Sequence, residues 1–201
     1  MFTLMIAIRT VQMYFYHKHF IMKHPVFGAT SILSQTHSDP HMGVNPSISD
    51  SSTFYFDKAQ DMSDTFIGKT DGMYLYSRHS SPTNNALASS LAAMESTQDA
   101  CVFGSGMGAI SSVLFQLCSA GDHIVSSQTI YGGSYALLKN FMPKFGIHSS
   151  FVDPTQLESV AQAINPQTKV LYCETMSNPL LEITHLKAMS ELAEKHQLTL
   201  V

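Results

Sequence analysis

Residues 102–109 read Val-Phe-Gly-Ser-Gly-Met-Gly-Ala, and their reading decides the fold. The apolar stretch 100–103 predicts a strand, glycines follow it, and the run from about Gly108 to Cys118 predicts a helix. Such a helix start gathers backbone N–H groups and the positive end of the helix dipole, which suits a phosphate. Gly104, Gly106 and Ala109 also satisfy the dinucleotide pattern G-x-G-x-x-A, so a nicotinamide-dinucleotide-binding protein has to be weighed. That reading needs a carboxylate about 20 positions on to hold a ribose, where this chain has Ser126-Ser127-Gln128. A purely structural reading also stands, in which the glycines only let a helix pack close to a strand.

Outward from this stretch the same alternation recurs. Residues 84–95 predict a helix, with Ala86, Leu87, Leu91, Ala92 and Met94 as its apolar positions. Downstream come a strand at 123–127, a helix from Tyr131-Gly132-Gly133 to Phe141, a strand at 147–152 and a helix at 154–164. A strand at 169–173 and a helix at 184–196, with Leu186, Met189, Leu192 and Ala193 on one face, lead to a last strand at 198–201. Short apolar runs alternating with amphipathic segments indicate an α/β fold with a parallel sheet flanked by helices. The last strand has only begun when the sequence stops, so a truncated domain is expected.

Residues 25–71 lack helical periodicity and carry the turn dipeptides Asp39-Pro40 and Asn45-Pro46, which predicts an extended arm. Its aromatic residues Phe54, Tyr55, Phe56 and Phe66 imply that it lies against another surface, a partner subunit being the obvious candidate. Residues 1–21 stand apart. The apolar run Met1–Ile8 precedes Arg9 and Lys18, the wrong order for a signal peptide, and Met22 is an alternative start. The expected organisation is an extension at 1–21, an arm at 22–73 and the α/β domain from 74 to 201.

Composition narrows the function classes. Hydrophobic residues make up 44% of the 201 and charged ones 13%, enough apolar material for a core. With 11 basic against 15 acidic residues the net charge is -4, so no field favours nucleic acid or an acidic membrane surface. No apolar stretch approaches the roughly 20 residues that span a bilayer. Cys101, Cys118 and Cys173 are an odd number set in apolar runs, which predicts buried, inert thiols and a cytoplasmic location. His17, His19 and His24 lack partners at metal spacing, so no metal site is predicted.

From about Tyr74 onward the chain resembles the pyridoxal-phosphate enzymes of cysteine and methionine metabolism: cystathionine lyases and synthases, methionine γ-lyase and O-acetylhomoserine sulfhydrylase. The resemblance is carried by Tyr76-Ser77-Arg78, Ser105-Gly106-Met107-Gly108-Ala109-Ile110, Tyr131-Gly132-Gly133 and Glu174-Thr175-x-x-Asn178-Pro179, in family order and at family spacing. It implies the first part of a fold-type-I large domain, with pyridoxal 5'-phosphate as cofactor and sulfur amino acids as substrates. It also implies roles. Ser105, Gly106 and Met107 would cradle the phosphate, Tyr131 would stack on the pyridine ring and help handle a proton, and Asn178 would reach the phenolic oxygen. Tyr76 and Arg78 would cross a subunit boundary to a neighbour's phosphate, which makes the protein a homo-oligomer, and Glu174 would be a supporting, structural group.

The family's Schiff-base lysine and the aspartate that pairs with the pyridine nitrogen match nothing in these residues. None of the nine lysines is a convincing substitute, so the 201-residue chain is expected to be inactive alone, with the cofactor held non-covalently at best. It would then be an enzyme remnant, one piece of a split enzyme with a complementing C-terminal polypeptide, or a non-catalytic phosphate-binding or docking protein. Gly133 stands where methionine γ-lyases usually carry a cysteine, which argues against that assignment and leaves lyase, synthase and sulfhydrylase chemistry open.

Overall fold

In the computed structural model, residues 6–7, 43 and 45–201 are described, and they divide into two compact units, one within Thr3–Val102 and one within Phe103–Val201. The expectations for the first 21 residues, for the three early histidines and for the turn at Asp39-Pro40 lie outside the described residues. The first unit holds β1 (Ile6–Ala7), α1 (Ala59–Phe66), α2 (Pro82–Glu95) and β2 (Ala100–Cys101).

Helix α1 corrects the expectation of a wholly extended arm. None of its residues is buried, and it is stitched by local polar bonds one turn apart: the Thr65 hydroxyl donates to the Asp61 carbonyl at 2.7 Å and Gln60 to the Asp64 carboxylate at 3.1 Å. Its apolar residues Ala59, Met62 and Phe66 do share helical spacing, but eight residues are too few for that spacing to stand out among the surrounding turn residues. The arm's surface is also corrected, in part. Ser77 N–H donates to the Ser52 carbonyl at 2.9 Å, Thr53 bridges Tyr76, and the Phe54 and Tyr74 rings lie 5.3 Å apart, so residues 52–54 rest on the chain's own Tyr74–Ser77.

Helix α2 starts two residues before its predicted position. Pro82 occupies its first turn, where a missing N–H costs nothing, and the Ser81 hydroxyl caps it by accepting the Asn84 N–H at 3.3 Å. The predicted strand 100–103 enters a ladder with two residues only, and it pairs antiparallel with β1, Ala100 facing Ala7. Two residues carry too little pattern for their sequence to specify a pairing direction.

The second unit is the α/β layer. Its elements are α3 (Gly106–Leu117), β3 (His123–Ser127), α4 (Gly132–Ala136), β4 (His148–Val152), α5 (Leu157–Ala163), β5 (Thr168–Tyr172), α6 (Leu186–Lys195) and β6 (Thr199–Leu200). The strands form one sheet in the order β4-β3-β5-β6, and every pair is parallel. β3 is buried at all five positions, as a central strand covered on both faces must be. Val125 and Leu171 pack with Val160 of α5 and with Met189 and Ala193 of α6 in one cluster. Leu192 joins its edge, whereas Leu186 is 42% exposed, outside the face predicted for it.

The helix predicted from Gly132 to Phe141 changes its winding. α4 passes into a π turn at Leu137–Phe141 and then a 3-10 turn at Met142–Phe145, with Pro143 at its start. Proline has no N–H and collides with the carbonyl four residues back in a regular helix, so the ladder re-registers around it. α5 begins three residues after the predicted Pro154. The Asp153 carboxylate takes both the N–H (2.9 Å) and the hydroxyl (2.7 Å) of Thr155, which closes a turn there and holds the Asp153 carboxyl below its ordinary range. Among the described residues, no helix is long and apolar enough to cross a membrane.

Candidate functional site

The candidate site lies at the carboxyl ends of β3 and β5 and at the start of α3, all in the second unit. Parallel sheets bind ligands at this edge, because the chain leaves each strand there and helix N-termini converge on it. Ser105 is the N-cap of α3: its backbone is extended and its hydroxyl oxygen accepts the Gly108 N–H at 3.0 Å. Helix geometry gives the N–H groups of Gly106 and Met107 no intrahelical acceptor. The Ser105 hydroxyl keeps its own proton to donate. Three donors therefore sit together at the positive end of a twelve-residue helix.

Tyr131 follows β3 and is half-exposed. Its ring lies across Gly133: a Cβ at that glycine would stand 2.5 Å from Tyr131 Cε1 and 3.0 Å from Met107 Sδ. Gly133 is thus the place where the α3 start and the Tyr131 ring meet, and only a residue without a side chain leaves room for both. Beside them opens a cleft of about 350 Å³, almost wholly apolar, lined by Met107, Ser111, Gly133, Ala136, Leu137 and Phe141.

Two bonds from the end of β5 hold the Tyr131 turn. The Glu174 carboxylate accepts the Tyr131 N–H with both oxygens, at 3.0 and 3.2 Å, across 43 residues of chain. The Tyr172 hydroxyl donates to the Ser134 hydroxyl oxygen at 3.2 Å, and both side chains are buried. Burial pushes the Tyr172 phenol up to about 12, so it stays protonated. Glu174 was readable as a supporting group from its motif. Tyr172 and Ser134 were not, since nothing local links residues 38 apart.

Asn178 is exposed on the loop that follows Glu174. That loop is closed on itself. Ser177 N–H donates to the Glu182 carbonyl at 2.8 Å, the Glu182 N–H returns to the Ser177 hydroxyl at 2.9 Å, and Met176 bridges Ile183. At its base the Thr184 hydroxyl donates to the Glu174 carbonyl at 2.6 Å.

Tyr76 and Arg78 belong to the first unit, so the structure does not gather all seven predicted site residues into one unit. Arg78 is exposed, with its guanidinium 4.9 Å from the centroid of the Tyr76 ring. The cysteines differ from the expectation of three buried thiols, because Cys101 is exposed and Cys173 only partly buried, while Cys118 is buried. Burial pushes Cys118 and Cys173 up to about 11, which leaves both as unreactive thiols at neutral pH.

The family model described as Cys/Met metabolism PLP-dependent enzyme matches residues 17–201. The chain belongs to this family. It is 43% identical to the methionine gamma-lyase of Arabidopsis thaliana over 166 residues, which cover 80% of this chain and 38% of that protein. It is 44% identical to a cystathionine beta-lyase of Bacillus subtilis over 125 residues, covering 62% of this chain and 32% of the relative. Among solved structures, an O-acetylhomoserine (thiol)-lyase from Campylobacter jejuni, which carries an N'-pyridoxyl-lysine-5'-monophosphate, matches with a TM-score of 0.82 at 27% identity, over 87% of this chain and 43% of its own. The chain thus spans less than half the length of the curated relatives it matches. These enzymes have the fold-type-I architecture expected from the sequence, and the family is pyridoxal-phosphate-dependent.

Proposed function

We propose that this chain holds pyridoxal 5'-phosphate at the start of α3 and contributes that site to the β- or γ-elimination or replacement chemistry of sulfur amino acids. The observation that carries the reading is the meeting of Met107 and Tyr131 over Gly133, beside a capped helix start with free N–H donors. The donor set fits the group. Gly106 N–H, Met107 N–H and the Ser105 hydroxyl suit a phosphate dianion, and the half-exposed Tyr131 ring offers a flat face to a pyridine.

When bound, the cofactor supplies an electron sink for a carbanion at the substrate Cα. The chain's own residues bind and orient. The start of α3 would hold the phosphate, Tyr131 would cover one ring face and hold or release a proton at its phenolic oxygen, and the Asn178 amide would donate to the cofactor's phenolic oxygen. Tyr76 and Arg78 complete the phosphate site of a second copy, which makes the functional unit at least a dimer. No lysine of this chain takes the Schiff-base role, so binding is non-covalent and the 201-residue chain does not turn over by itself.

Titration of the chain with pyridoxal phosphate, followed by cofactor fluorescence, tests the site. Saturable binding that is weakened by Ser105→Ala and by Tyr131→Ala is expected, with NADH giving none. Tight NADH binding, or no response to pyridoxal phosphate, overturns the reading. Borohydride reduction followed by peptide mapping tests the lysine statement: scattered, substoichiometric labelling is expected, and stoichiometric labelling of one lysine with turnover overturns it.

A further inference from the structure

Among the described residues, the two-oxygen contact of Glu174 with the Tyr131 N–H is the one long-range hydrogen bond that holds the Tyr131 backbone itself. The contact is to the backbone, so the side chain of Tyr131 is free for its own chemistry while its Cα is fixed. Glu174 is in turn anchored at its carbonyl by the Thr184 hydroxyl, and Gly133 allows the ring to lie in the space a Cβ would fill. We propose that Glu174 is a positioning residue: by holding the Tyr131 N–H it sets the ring across Gly133, in the pose that awaits a planar anionic ligand. The proposal rests on the reading of Tyr131 as the ring-stacking residue. It assigns the effect to the reach of the carboxylate and not to its charge, since an anion beside a phosphate cradle gains nothing electrostatically.

Three variants separate reach from charge. Glu174→Gln keeps an acceptor oxygen at the same distance, Glu174→Asp keeps the charge but falls short by one methylene, and Glu174→Ala keeps neither. The readout needs no cofactor: nuclear Overhauser contacts from the Tyr131 ring protons to the Gly133 α-protons, and hydrogen-exchange protection of the Tyr131 amide. Wild type and Glu174→Gln are expected to show the ring contact. Glu174→Asp and Glu174→Ala should lose it, with amide protection falling about tenfold, the value of one ordinary hydrogen bond, while the Ile124 and Leu171 core amides stay unchanged. Pyridoxal-phosphate affinity should follow the same order.

Retention of the ring contact in Glu174→Ala overturns the proposal, as does loss in Glu174→Gln with retention in Glu174→Asp. If Glu174→Ala does not fold, the Gln and Asp pair decides by the same criterion. A chain that shows the ring contacts in the expected order but ignores pyridoxal phosphate would refute the cofactor reading and leave the positioning role of Glu174 standing.

Discussion

Gly133→Ala should separate the site from the fold. The new methyl would lie 2.5 Å from Tyr131 Cε1, where ordinary contact begins at 3.4 Å, so the ring must retreat by about 1 Å (3.4 − 2.5 = 0.9). It can do so. Tyr131 is 50% exposed and its ring can swing toward solvent without moving the backbone, and Met107 Sδ, at 3.0 Å, is the end of a flexible side chain. The helix gains meanwhile: Gly133 lies within α4 and is absent from the positive-φ glycines, so alanine removes a helix penalty of up to about 1 kcal/mol. Thermal unfolding followed by circular dichroism should therefore give a Tm that is unchanged or raised by roughly 2–4 °C. Pyridoxal-phosphate affinity, by fluorescence titration, should fall about three- to tenfold, the worth of a lost aromatic stack of about 0.5–1.5 kcal/mol. A lower Tm with unchanged affinity would refute the reasoning, because it would mean that the backbone, not the Tyr131 ring, had yielded.

Other outcomes follow from particular contacts. Tyr172→Phe should cost about 1–3 kcal/mol by stranding the buried Ser134 hydroxyl, and the double variant with Ser134→Ala should recover much of it in urea unfolding. His123 is buried with Thr168 at 2.9 Å and Ser150 at 3.0 Å on its two ring nitrogens, and burial, then His148, lowers its pKa below the ordinary 6.5. The folded state therefore prefers the neutral ring, its contribution is complete above 6.5 and is lost as pH falls below that value, and the Tm of His123→Gln should depend less on pH through this window than that of wild type. Phe141, Phe145, Leu180, Leu181 and Ile183 are all more than half exposed, so the 201-residue chain should bind a hydrophobic dye and self-associate with rising concentration in sedimentation velocity.

The parallel layer was legible because each strand holds a short apolar run, Ile124-Val125, Phe151-Val152 and Val170-Leu171-Tyr172, and each is followed by a segment of helical spacing such as 186–195 with its one apolar face. The capped start of α3 was legible for a related reason: it is a local object, and Ser105 and Gly108 are three residues apart. Boundaries were less so. Asp153 ends the β4 loop by side-chain bonds that compete with the helix, and Pro143 forces a π turn upstream of itself, effects that an apolar count does not register.

The sequence by itself determined the order of strands and helices in the second unit and the family to which the chain belongs, because each of these depends on contacts within a few residues or on motifs with fixed spacing. Only the tertiary structure decided how Tyr131 is held. Glu174 meets its N–H across 43 residues, Tyr172 meets Ser134 across 38, and Gly133 makes room where Met107 and the ring converge. It likewise decided that β2 pairs antiparallel and that residues 52–54 rest on the chain's own Tyr74–Ser77. Pairing direction and long-range hydrogen bonds are set by which segments the folded core brings within 3 Å or so of each other, and a linear pattern of side chains has no term for that distance.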